Sequence, residues 1–111
     1  MLPRFHRLTK KSDFDDAYRS KWAVSGHFFL AKIKTNELGR VRIGIVISKK
    51  IIKKATGRNK IKRQLRQIVR QEAIQVKKGI DIVIACKSAI QKASYIELQK
   101  EWQSIWSKIN L

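Results

Sequence analysis

VRIGIVISKKIIKKATGRNKIKRQLRQIVRQEAIQVK, residues 41–77, holds two periodicities in succession. Val41, Ile43, Ile45 and Ile47 alternate with Arg42, Gly44 and Val46, a period of two that predicts a strand with one strongly apolar face. Over residues 55–77 the period lengthens. At about 100° per residue, Ile61, Leu65, Ile68 and Val76 fall on one side, with Val69 at its edge. Asn59, Arg63, Arg66 and Arg70 fall on the other, with Lys62 beside them. This is a long one-sided helix. Lys77 and Lys78 suit its negative C-terminal end, and Gly79 suits the position just past it. A strand feeding such a helix lays the helix's apolar side on a sheet.

Working outward, Ile80, Ile82, Ile84 and Cys86 alternate again and predict a further strand. Ser94-Tyr95-Ile96-Glu97 has the capping-box pattern, opening a last helix with the apolar stripe Leu98, Trp102, Ile105, Trp106 and Ile109. On the N-terminal side, residues 22–34 read as extended, interrupted near Ser25-Gly26, and residues 35–39 are turn-like. The segments before and after that turn look like an antiparallel hairpin. Ser12 is the candidate cap of a short first helix, with Asp13, Asp15 and Asp16 in its first turn and Phe14, Ala17 and Tyr18 on one face. No repeat, low-complexity tract or linker is visible, and the single proline is Pro3. One domain over residues 1–111 is expected.

Charge is the unusual quantity. Lys+Arg number 26 against 8 Asp+Glu, a net +18 on 111 residues, with an ordinary 43% apolar content. Residues 49–70 hold ten basic side chains, Lys49, Lys50, Lys53, Lys54, Arg58, Lys60, Lys62, Arg63, Arg66 and Arg70, and no acidic one. A solvated helix face normally mixes signs, because like charges at i,i+4 destabilise it; here Arg58/Lys62, Lys62/Arg66 and Arg66/Arg70 are all like pairs. Phosphate binding accounts for them better, since guanidinium forks match phosphate oxygens and neutralisation releases counterions. A membrane-surface helix would need its apolar face free to insert, whereas this one must cover the sheet. No membrane partner is expected.

Cys86 is the only cysteine, so no intrachain disulfide and no cysteine-based zinc site can form, as suits a reducing cytoplasm. The first eleven residues lack an apolar run of signal-peptide length, and no stretch approaches the roughly 20 residues needed to span a bilayer. A cytoplasmic protein is expected. His6 and His27 are isolated, Asp13, Asp15 and Asp16 are explained by the helix start without a metal, and no Gly-rich phosphate loop, HExxH or GxSxG occurs. No catalytic residue is assigned. A helix-turn-helix DNA binder would need a short helix before the basic one, where residues 42–48 read as strand. No DNA partner is expected.

Ser48-Lys49-Lys50, seven residues, then Arg58-Asn59-Lys60-Ile61-Lys62-Arg63-Gln64-Leu65-Arg66 resembles the signature of bacterial ribonuclease P proteins, an SKK-like strand end followed by a helix opening RN(R/K)IKRxxR. Arg7-Leu8, four residues, then Asp13-Phe14 and Tyr18 is similar to the family's RLxxxxDFxxxF beginning. Val41-Arg42-Ile43-Gly44-Ile45 is similar to its RVGL-type strand, and residues 79–85 to its G-x-D-hydrophobic strand. A ribosomal or general RNA-binding protein without a processing role would explain the charge, but not this ordered set.

The resemblance implies an α+β fold, a single-domain α-β sandwich ordered αβββαβα. Its sheet is mostly antiparallel, with a left-handed βαβ crossover through the basic helix, against the usual right-handed preference. It implies an endoribonuclease whose chemistry belongs to a large RNA subunit, with Mg²⁺ bound mainly by that RNA and the precursor tRNA substrate. It implies RNA-subunit contacts for Arg58, Asn59, Lys60, Lys62, Arg63 and Arg66, extended by Arg70 and by Lys49, Lys50, Lys53 and Lys54 on the preceding loop. It places Phe14 and Tyr18 in a cleft for the single-stranded 5′ leader, where stacking on rings tolerates any sequence. Ala31 stands where some members carry an aromatic residue, and Phe29, on the same strand face, is the expected substitute. The segment between SKK and RN resembles the family's longer variant.

Overall fold

The computed structural model describes residues 2–109. Its elements follow the expected αβββαβα order: α1 (Lys11–Tyr18), β1 (Ala23–Ser25), β2 (Phe29–Thr35), β3 (Val41–Val46), α2 (Ala55–Gln75), β4 (Ile80–Cys86) and α3 (Tyr95–Lys108). Short 3₁₀ turns occupy Arg4–His6 and Ser88–Lys92. The four strands form one sheet in the order β1-β2-β4-β3. β1/β2 and β2/β4 are antiparallel and β3/β4 parallel, so the chain passes from β3 through α2 to the neighbouring parallel strand β4.

β2 and β3 are therefore not a hairpin; β4 lies between them, and the expected pairing is corrected. Six of the seven β4 residues are buried, which is the environment of a central strand covered on both faces. Residues 36–40 arch over the start of β4 to span the extra strand. Asn36 organises that arch: its Nδ2 donates to the Arg40 carbonyl (3.1 Å), and its Oδ1 accepts from the Leu38 amide (2.8 Å). Its own amide donates to the Gly79 carbonyl (2.9 Å). A Cβ on Gly79 would overlap Asn36, so this glycine is required for close approach. It is not a left-handed helix cap, because α2 ends at Gln75 with an extended Val76; the positive-φ glycine is Gly39 (φ 68).

Strand alternation sorts the sheet into two faces. Phe29, Ala31 and Ile33, Val41, Ile43 and Ile45, and Ile80, Ile82 and Ile84 point to the side covered by α2 and α3, forming the main core with Leu65, Ile68, Val69, Leu98, Trp102 and Ile105. Val69, expected at the edge of the apolar side, is fully buried. The buried Trp102 indole N–H donates to Glu72 on α2 (2.5 Å). The opposite face carries α1 and a smaller cluster of Leu8, Ala17 and Val83, against which Phe14 packs.

The capping box of α3 forms as read: the Glu97 amide donates to Ser94 Oγ (3.2 Å) and the Ser94 amide to Glu97 Oε1 (2.9 Å). Ser12 does not cap α1. The cap position is Lys10, without a side-chain bond, and Ser12 lies inside the first turn. Cys86 is buried, and loss of hydration pushes its thiol up to about 12. At pH 8 only about one thiol in 10,000 is then ionised. The native protein is expected to resist iodoacetamide for hours while the urea-unfolded chain is fully alkylated, as read by mass spectrometry. Prompt alkylation of the folded chain would show that this end of the core opens.

Candidate nucleic-acid interface

A helix of 21 residues is roughly 30 Å long, and α2 buries Leu65, Ile68, Val69 and Ala73 against the sheet and α3. That fixes its outward ridge. Asn59, Arg63 and Arg70 are exposed along it, spanning several turns. Lys62 and Arg66 lie on one flank, above the N-terminal segment, and Lys60 on the other. No side chain caps the N-terminus of α2, and its first turn holds no acid, so the helix dipole adds to the positive field. Among the described residues, no ion pair involves residues 49–66.

The loop before α2 is built to face its lysines outward. Ile51 and Ile52 pack on the main core, while Lys49, Lys50, Lys53 and Lys54 are exposed. Arg58 fastens the loop, its Nη1 donating to the carbonyls of Ile52 and Lys53 at 2.9 Å each. Part of its hydrogen-bonding capacity thus goes into shaping the surface that the other cations form.

On the other face of the sheet, Phe14 brings the tip of its ring onto β3 because Gly44 has no side chain; a Cβ there would overlap the ring. Phe14 is half-buried against Leu8, Ala17 and Val83, whereas Tyr18 is 48% exposed. Lys32 brings its ammonium to 5.8 Å from the Tyr18 ring centroid and donates to the Ser20 carbonyl (3.2 Å). Phe29 does not belong to this cleft. It is fully buried on the opposite face with Ala31, since residues two apart on a strand share a side. The strand β2 residues facing α1 are Leu30 and Lys32. The alternation of apolar Phe29-Ala31-Ile33 with Leu30-Lys32-Lys34 carried that signal.

The cleft and the basic helix meet. A cavity of about 260 Å³ is lined by Arg7, Leu8 and Thr9, by Phe14 and Gly44, and by Lys62 and Arg66. Arg7 continues the sheet beside β3 through a parallel bridge to Ile43, and its Nε donates to the Leu2 carbonyl (2.8 Å). Burial, and after it the charge of Arg7, hold the Arg66 guanidinium below its ordinary value. Two cations facing one groove repel until an anion enters it. Arg7, known from sequence only as part of a motif, is thus a groove residue. His6 is an anchor, its Nδ1 at 2.9 Å from the Val41 carbonyl.

α1 is held in place by Arg42. Its Nε and Nη2 donate to the two carboxylate oxygens of the buried Asp81 at 2.8 Å each, and its Nη1 to Asp13 Oδ2 at 3.1 Å. These contacts raise the Arg42 pKa, the hydrogen bonding to Asp81 most of all. Asn36 Nδ2 completes the set on Asp81 Oδ1 (2.7 Å). Asp13, a candidate only as a first-turn acid, is the link that ties the aromatic helix to the sheet.

Fold and site together define a small α+β protein that presents a basic helix beside an aromatic groove. The family model for ribonuclease P matches residues 2–110. A ribonuclease P protein component of a Pseudanabaena species is 38% identical over 109 residues, covering 97% of this chain and 94% of its relative. One from Legionella pneumophila (strain Lens) is 33% identical, covering 93% and 88%. The ribonuclease P protein of Thermotoga maritima superimposes with TM-score 0.80 at 27% identity, covering 95% of this chain and 98% of that one. That of Staphylococcus aureus gives 0.81 at 25%, covering 93% and 94%. The chain belongs to the ribonuclease P protein family, the protein component of an endoribonuclease.

Proposed function

We propose that this chain binds the RNA subunit of ribonuclease P through α2 and the loop before it, and receives the single-stranded 5′ leader of precursor tRNA in the groove between α1 and the sheet. The observation that carries the reading is the continuity of the two surfaces: Lys62 and Arg66 belong to the basic helix and line the same cavity as Phe14. Phosphates of the RNA subunit lie along Asn59, Arg63 and the exposed lysines, contacts that position rather than specify. The leader backbone crosses the Arg7/Arg66 end, and its bases stack on the exposed Tyr18 and the edge of Phe14. The chain lowers phosphate repulsion and holds the substrate; hydrolysis and Mg²⁺ belong to RNA and substrate. Of the acids near the groove, Asp13 and Asp81 are committed to Arg42. The setting is the cytoplasm.

Reconstitution tests this reading. With the matching RNA subunit and precursor tRNA at low Mg²⁺, the chain is expected to promote one cut at the mature 5′ end, and alone to cut nothing. Tyr18→Ala removes a 48% exposed ring, so folding is preserved. It is expected to weaken binding of long-leader precursor about 5- to 150-fold, the range for one lost base stack, and to leave mature tRNA and RNA-subunit affinity unchanged. Adding Phe14→Ala increases the loss but opens the small cluster, so its melting temperature is measured alongside. Equal effects on long-leader and leaderless substrates would remove the leader from this groove.

A further inference from the structure

On the flank of α2 away from Arg66 lies a second groove, of about 500 Å³, between the loop before α2, the helix itself and the 3₁₀ turn Ser88–Lys92. Ile51, Ile52 and Ile61 supply aliphatic walls, Gln64 and Gln91 supply amides, and Lys60 stands beside them. The groove is held open by specific contacts. Arg58 ties the Ile52 and Lys53 carbonyls to the helix, and the Gln91 amide donates to the Ile51 carbonyl. Gly57 leaves the room that Ile52 needs, since a Cβ there would come within 2.7 Å of it. Gln64, half-buried, makes no hydrogen bond to any described residue.

We propose that this groove takes a single unstacked nucleobase of the RNA subunit that α2 binds, which rests on the function proposed above. The volume is in the range of small-ligand sites and exceeds that of one base, leaving room for the sugar at the mouth. Flat aliphatic walls pack on a base's faces. The Gln64 amide presents a donor and an acceptor side by side, the pair that an adenine edge answers. Charge selects the class of occupant. Residues 49–70 carry ten basic side chains and no acid, so the chain around the groove attracts a polyanion whose phosphates Lys60 and the loop lysines can meet. The basic helix then anchors RNA by its backbone, and this site fixes the register.

Side-chain NMR signals of Gln64 and the isoleucine methyls test the inference directly, using short oligoadenylate and an abasic oligonucleotide of equal charge. Ile51, Ile52, Ile61 and Gln64 signals are expected to shift with oligoadenylate only, while Arg63 signals shift with both. Arg63 shifts with a silent groove would overturn the base site and leave RNA binding standing; silence at both would overturn both. Gln64→Leu keeps the side-chain bulk and removes the amide. It is expected to weaken RNA-subunit binding about 5-fold or more without changing the salt slope, whereas Lys60→Ala flattens that slope by about one. Unchanged affinity in Gln64→Leu, with an unchanged melting temperature, would also overturn the proposal.

Discussion

Raising monovalent salt from about 50 to 200 mM is expected to weaken binding of the chain to the RNA subunit about 250-fold, if about five phosphates are neutralised and log K falls with log salt at a slope near −4. The basis is the unpaired basic surface. Among the described residues, no ion pair engages residues 49–66, so RNA phosphates replace mobile counterions rather than protein carboxylates. Arg63→Ala should flatten the slope by about one unit, and Arg66→Ala should do the same to the slope for long-leader precursor tRNA. Arg66 should also cost more at high salt, because it shares a partly buried groove with Arg7. Filter binding or fluorescence anisotropy across a salt series reads both quantities. A slope near zero would move the RNA to another face.

Asp81→Ala is expected to destabilise the fold by about 3–5 kcal/mol, the usual cost of stranding one partner of a buried ion pair. Against a total of about 5–15 kcal/mol for a domain this size, that is a large share. Arg42 would keep only Asp13, whose side chain is 31% exposed and better screened. Asp13→Asn should therefore cost no more than about 1 kcal/mol, and should loosen α1 without unfolding the sheet. Urea denaturation of the two variants separates these outcomes. A loss below about 1 kcal/mol for Asp81→Ala would mean that water replaces the carboxylate and that packing alone holds α1.

Much of this architecture is legible in the order of residues because its periodicities are strong. The alternation over 41–47, the one-sided 21-residue helix and the Ser94/Glu97 box each specify a local state that tertiary packing does not override. Strand order is different. The turn at 36–40 is short enough to suggest a hairpin, and only the two-sided burial of β4 shows that it takes the middle position. Periodicity states which residues share a face, not what lies over it, and Phe29 was assigned to the cleft by motif position when its apolar neighbours Ala31 and Ile33 marked that face as core. Ser12 and Gly79 failed for a common reason. A residue with the right chemistry for a helix end was one or more positions away from where the end falls. At the candidate site, the clustering of cations on α2 is visible in the sequence as a run without acids. Arg7, Lys32 and the Asp13–Arg42–Asp81 link are not, because each depends on contacts between segments far apart in sequence.

The placement of β4 also governs how the domain assembles. β3 ends at Val46, and among the described residues the one strand it pairs with begins at Ile80. On a ribosome, β1 and β2 can close as a local hairpin, but β3 waits until the whole of α2 and then β4 have been synthesised. Closing that span comes before any reward from pairing, which makes such a topology slower to fold than an all-helical domain of the same size. Through that interval the most positively charged segment of the chain is free of the scaffold that later orients it, close to the RNA of the ribosome itself. A nascent chain halted before Cys86 would hold its cations without the sheet that gives them direction.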